Sequence, residues 1–211
     1  MKILAFSGWK GSGKDEAANF LVEKHNFIRV GFADILKDMV SEAYSIPRNY
    51  FENRELKDKY LLNYPVNSKD NFSEIIVEFL KKEFGEYKGK LYWTPRTLCI
   101  LEGSIKRSVN SQYWTKKVID YINAKINLDC NVIKLSNEHN FVISDLRYIS
   151  EAEDLRKAFN VNLKLIRINR FDTIESIDPS ERNLDNYKFD NIIKNKESLE
   201  EFLNKIENLI K

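Results

Sequence analysis

The stretch KILAFSGWKGSGKD, residues 2–15, decides the fold. An apolar run enters a glycine-rich turn, and the turn ends in Gly13-Lys14. Gly8, Gly13 and Lys14 stand at the spacing of a G-x-x-x-x-G-K phosphate-binding loop, whose backbone N–H groups cradle phosphates. A helix that opens at such a turn presents unpaired N–H groups and the positive end of its dipole, which favours anions. Lys14 reaches the β- and γ-phosphates as a point charge. The ordinary loop continues with a Ser or Thr whose hydroxyl holds Mg²⁺; here Asp15 takes that place. A carboxylate suits Mg²⁺ as a hard oxygen ligand, and an anion also suits the first turn of a helix. Both readings of Asp15 stand on the motif.

Outward from the loop, residues 2–7 read as a buried strand and 14–24 as a helix with Ala17, Ala18, Leu21 and Val22 inward. FIRVGF (27–32) is a second strand. DILKDMVSEAY (34–44) sets Ile35, Leu36, Met39, Val40 and Ala43 at helical spacing. A strand–helix–strand start implies parallel strands joined by right-handed crossovers. The middle, 45–126, is mostly helical and polar-rich, with an amphipathic segment over 73–84. Thr94 caps and Pro95 opens a helix that continues through Arg107. Trp114, Val118, Tyr121 and Ile122 share one face of a helix over 111–126. Three further strands follow at 141–145, 162–168 and 189–195, with helices over 150–159 and 198–210. The expected architecture is a five-stranded α/β layer with a long helical insertion after strand two.

The chain has 211 residues, 43% hydrophobic and 31% charged, which suits one domain with a real core. Its 34 basic and 32 acidic residues leave a formal charge of +2, without the basic excess that marks nucleic-acid binding by bulk charge. Cys99 and Cys130 form no metal-binding spacing and read as reduced thiols. No stretch reads as a secretory signal or a membrane span, so a cytoplasmic protein is expected.

Two other groups of residues carry potential chemistry. FVISDLR (141–147) places Asp145 at the carboxyl end of a central strand, beside the loop in this topology. There it can hold Mg²⁺ through water or serve as a helix cap; Arg147 points into the same crevice. Arg96 and Arg107, eleven residues apart, share a helix face with Glu102 between them, and Arg167 and Arg170 follow the fourth strand. Segment 171–186 is polar, without apolar period, and reads as a flap over a nucleotide.

Taken together, SGWKGSGKD (7–15), GFADILKDM (31–39), TPRTLCILEG (94–103), YWTKKV (113–118), VISDLRYISEAEDLR (142–156) and SERNLDNYKFDNIIKN (180–195) resemble the bacteriophage deoxynucleoside monophosphate kinases. These are a branch of the P-loop nucleoside monophosphate kinases, related to animal phosphomevalonate kinases. Gly-Lys-Asp is the usual loop ending in that family. The resemblance implies a P-loop NTPase three-layer sandwich with a parallel sheet of order 2-3-1-4-5, one domain over 1–211, and a helical substrate-binding insertion over 45–126. It implies ATP at Gly11, Ser12, Gly13, Lys14 and Asp15, with Arg170 neutralising charge from the flap and Mg²⁺ at Asp15 and Asp145. Lys10, Asp34, Lys37, Arg96, Arg107, Asp145 and Arg147 would face the monophosphate or the metal. Lys14, Arg147 and Arg170 would act on the transferred group. The implied partners are small nucleotides, neither nucleic acid nor membrane, with a homodimer as a form common among such kinases. Two other activities fit the same residues: a kinase of another small phosphate acceptor, and a regulator that binds ATP without transfer.

Overall fold

A computed structural model describes residues 1–66, 78, 81–82, 86–131, 139–170 and 182–211, with backbone alone for 128–131. The amphipathic segment expected over 73–84, most of the flap expected over 171–186 and the side chain of Cys130 lie outside the described residues.

The elements are β1 (Ile3–Ser7), α1 (Lys14–His25), β2 (Phe27–Val30), α2 (Phe32–Tyr44), α3 (Asn49–Glu52), α4 (Pro95–Val109), α5 (Tyr113–Asn131), β3 (Asn140–Ile143), α6 (Ile149–Phe159), β4 (Leu163–Asn169), β5 (Asn191–Lys194) and α7 (Leu199–Asn208). The five strands form one sheet in the order β2-β3-β1-β4-β5. Every pairing is parallel, with Ile3 opposite both Phe141 and Leu163. This is the order and polarity of the P-loop α/β fold. Among the described residues, no helix is long and apolar enough to cross a membrane.

The chain divides into two compact units, residues 1–33 with 112–211, and residues 34–111. The sequence places the insertion over 45–126, whereas the second unit begins in α2 and ends before α5. In the first unit β1 is buried along its whole length, because a central parallel strand is covered on both faces. Side chains alternate between the faces. Leu4, Phe6, Val142, Ile166, Ile168 and Ile193 pack with Ala17, Ala18 and Leu21 of α1 and with Phe202 and Ile206 of α7. The alternate residues Ile3, Ala5, Phe141, Ile143 and Leu165 are also buried. On that side α6 packs on β4, and α5 packs on α6.

The helix faces depart from expectation at three positions. Val22 is exposed at the rim of α1, because two alanines and Leu21 fill the contact with the sheet. Tyr121 is likewise exposed while Trp114, Val118 and Ile122 are buried, and Ala43 of α2 is exposed.

The second unit has its own core of Val40, Ile46, Phe51 and Leu98, flanked by Leu36, Tyr44, Leu61, Trp93 and Cys99. Thr94 caps α4 in a capping box with Thr97, and Pro95 opens the helix, as their order in the sequence predicts. Burial pushes the Cys99 thiol up to about 11, so it remains neutral at physiological pH.

Candidate functional site

The loop between β1 and α1 owes its shape to two glycines. Gly13 takes φ +100° at the N-cap of α1, a left-handed conformation that favours glycine. A Cβ there would lie 2.6 Å from Asn195 Nδ2. Gly8 passes so close to β4 that a Cβ would lie 2.6 Å from the Ile168 carbonyl oxygen. The Ser12 N–H donates to the Trp9 carbonyl at 3.0 Å, which closes the turn. Among the described residues, no side chain caps α1. Its first N–H groups have no intrahelical acceptor, and a bound anion can receive them.

Lys14 is half-buried, with its ammonium 3.4 Å from the Trp9 carbonyl oxygen. That contact is long for an N–H···O bond. Gly11, Gly13, Lys14, Asp15, Arg170 and Asn195 line a cleft of about 470 Å³. Five of the six residues assigned to ATP from the sequence therefore meet in one cleft. The sixth, Ser12, is buried within the loop, and its hydroxyl has no hydrogen-bond partner among the described residues.

Asp15 points from the first turn of α1 to Arg29 of β2, with an N–O distance of 2.8 Å. Its side chain remains 65% exposed, so the carboxylate is accessible to a further partner. Asp145 stands just past the end of β3. The Leu146 N–H donates to the Phe6 carbonyl at 3.1 Å, which sets this segment beside β1 at the carboxyl edge of the sheet. One Asp145 carboxylate oxygen accepts the Phe32 N–H at 2.9 Å and the other the Ala33 N–H at 2.8 Å. The cap role open to this aspartate from the sequence is thus present. Glu151, buried at the start of α6, accepts the N–H groups of Arg147 and Tyr148, each at 3.1 Å. It orients the backbone from which the half-buried Arg147 side chain departs. Lys10 is exposed in the loop itself.

In the second unit, Lys37 bridges Asp34 at 3.6 Å and Glu52 at 3.2 Å. Arg48, which no sequence motif marks, joins Asp34, Asp38 and Glu52. Arg96 in the first turn of α4 holds Asp58 through two nitrogens, at 2.5 and 3.0 Å. The Arg96 hydrogen bond holds the Asp58 carboxyl below its ordinary range. Arg107 is half-buried in the last turn of α4. Tyr44 donates to Glu102 at 2.8 Å, and burial together with this bond pushes the phenol up to about 12. Glu102 is therefore an acceptor within the second unit. Among the described residues, no group of three or more His, Cys, Asp or Glu side chains is placed to hold a metal ion. Mg²⁺ commonly keeps several waters and takes one or two carboxylates plus substrate phosphates, so Asp15 and Asp145 fit its chemistry without such a cluster.

Two contributors to the loop carry no assigned role in the sequence reading. Asn195, directly after β5, donates from Nδ2 to the Ser12 carbonyl at 2.9 Å. Asp185 accepts from the Trp9 indole at 3.1 Å. The signal for Asn195 was its place at the carboxyl end of a strand, where ligand sites of open α/β sheets lie.

No family model matches the chain, and no curated protein matches it. Solved structures do match along it. One is an unliganded sugar kinase from Janibacter sp. HTCC2649, at 7% identity and TM-score 0.47, covering 100% of this chain and 94% of that chain. A second is the dephospho-CoA kinase from Campylobacter jejuni, at 15% identity and TM-score 0.44, covering 100% and 96%. A third is an APS kinase from Mycobacterium tuberculosis, at 11% identity and TM-score 0.43, covering 99% and 96%. The chain's own strand order, with a left-handed glycine opening α1 directly after β1, is that of the P-loop α/β fold.

Proposed function

We propose that the protein transfers the terminal phosphoryl group of ATP to a deoxynucleoside monophosphate, giving ADP and the diphosphate. The observation that carries the proposal is the glycine-shaped, uncapped start of α1 with Lys14 over it. Such a start offers backbone donors and one cation to a polyphosphate. Arg170, in the same cleft, adds a second cation on the ATP side. Mg²⁺, when bound, would neutralise phosphate charge, with Asp15 and Asp145 as its protein carboxylates.

The acceptor side belongs to Lys10, Asp34, Lys37, Arg96, Arg107 and Arg147, on the family resemblance. Positioning and charge neutralisation supply most of the catalysis of phosphoryl transfer, and no covalent enzyme intermediate is required. The pairing of Arg96 with Asp58 supports its place there, because a guanidinium fork that holds a carboxylate through two nitrogens also matches a phosphate. Both partners are substantially exposed, so the pair contributes about 0.2–1 kcal/mol and an incoming phosphate displaces Asp58 at small cost. Asp58→Asn is expected to lower the acceptor KM by up to about fivefold, within that energy, and to leave the ATP KM unchanged. Steady-state kinetics with each substrate varied checks this. A raised acceptor KM would place Asp58 on the substrate's side instead.

The activity itself is tested by ADP release from ATP with each common deoxy- and ribonucleoside monophosphate. Release with at least one deoxynucleotide is expected. Release with phosphomevalonate alone would move the chain to the other acceptor class. ATP binding without release for any acceptor would leave a nucleotide-binding regulator.

A further inference from the structure

We propose that Asp185 is a positioning residue for the phosphate loop, acting through the indole of Trp9; this rests on the nucleotide reading of that loop. Trp9 occupies the loop position directly after Gly8, and its carbonyl receives both the Ser12 N–H and the Lys14 ammonium. The orientation of this one residue therefore bears on the turn and on the lysine. Its indole Nε1 donates to Asp185 Oδ1 at 3.1 Å.

Asp185 is itself held independently of the loop. Arg167, only 6% exposed on β4, donates from Nη2 to the same oxygen at 2.5 Å. The remaining guanidinium nitrogens reach Ser7 Oγ at 3.0 Å and Asn169 Oδ1 at 3.4 Å. Its cation lies 6.0 Å from the Phe189 ring centroid. Arg182 stands 3.6 Å from the other Asp185 oxygen. The neighbouring Leu184 is fully buried, and the Asn183 side chain accepts the Ile149 N–H at 2.9 Å. A fixed carboxylate thus grips one side of the loop at Trp9, while Asn195 grips Ser12.

The physical purpose is preorganisation. A loop with Gly11 at φ +80° and Gly13 at φ +100° has unusual backbone freedom, and ordering it on binding costs affinity. A hydrogen bond to an ionised acceptor is stronger than a neutral one, so Asp185 suits a clamp better than a carbonyl would. The aromatic ring of Trp9 lines a second cavity with Tyr187, Phe189 and Arg167.

Trp9→Phe is the clean test, because indole carries a donor and no acceptor and the ring is largely kept. Calorimetry with ATP is expected to show Kd raised about tenfold, or 1.4 kcal/mol, with acceptor KM within about twofold of wild type. In an Asp185→Ala background, which removes the acceptor, the same change is expected to alter Kd by less than about twofold, since coupled partners do not add. Thermal melting of each variant separates a general loss of fold from a loss of loop order. An unchanged Kd in Trp9→Phe, or equal effects in both backgrounds, overturns the clamp while ATP binding by wild type stands. A wild-type protein that binds no ATP overturns both the clamp and the nucleotide reading beneath it.

Discussion

Lys14→Ala is expected to reduce kcat by about a hundredfold or more while the protein remains folded. Each tenfold loss corresponds to 1.36 kcal/mol of barrier, and removal of a single donor to developing charge commonly costs about 10²–10³ in rate. The fold should tolerate the change, because among the described residues the ammonium makes a single hydrogen bond, a long one to the Trp9 carbonyl. The measurements are kcat at saturating ATP and acceptor, and Tm without ligands. Retention of more than about a tenth of the wild-type kcat would sink the assignment of the loop.

Asp145→Ala carries the second large effect, and here fold and chemistry are tied together. Both carboxylate oxygens accept backbone N–H groups where α2 begins. Loss of a helix cap costs about 0.5–2 kcal/mol, and two donors are left behind. A loss of about 2–3 kcal/mol is expected from hydrogen bonds to a charged acceptor. At this chain length each 1 kcal/mol shifts Tm by about 2–4 °C. Asp145→Asn keeps one acceptor oxygen and should lose less than half as much stability. If Asp145 also holds Mg²⁺ through water, the Asn variant needs more free Mg²⁺ for half-maximal rate, because a neutral amide serves a hard cation less well. A lowered Tm with an unmoved Mg²⁺ midpoint would leave Asp145 a helix cap alone.

Asp15 sits differently. Its partner Arg29 is half-buried, but its own side chain is 65% open to solvent. Loss of this pair costs at most about 1 kcal/mol, so any effect of Asp15→Asn on the Mg²⁺ titration reads the metal with little interference from stability.

The sheet was legible in the sequence because short apolar runs ending at polar turns can only be parallel core strands when helices alternate with them. The expected strands KILAFS (2–7), FVISD (141–145) and NLKLIRI (162–168) lie within two residues of the bounds of β1, β3 and β4. The opening of α4 was legible for a local reason: Thr94 and Pro95 act on their own helix's first turn. Gly8, Gly13 and Lys14 were legible because a phosphate loop is built from consecutive residues.

Tertiary structure decided what depends on residues far apart in the chain. Asn195 reaches Ser12 across 183 positions and Asp185 reaches Trp9 across 176, and no periodicity records such a pairing. The same holds for Arg96, whose partner Asp58 comes from another segment of its unit, and for Asp145, whose cap role depends on Phe32 and Ala33. Val22 and Tyr121 have the right spacing for burial but lie at the rims of their helices. Helical spacing sets the angle at which a side chain leaves the axis, whereas burial depends on how wide a surface the neighbouring elements present to it.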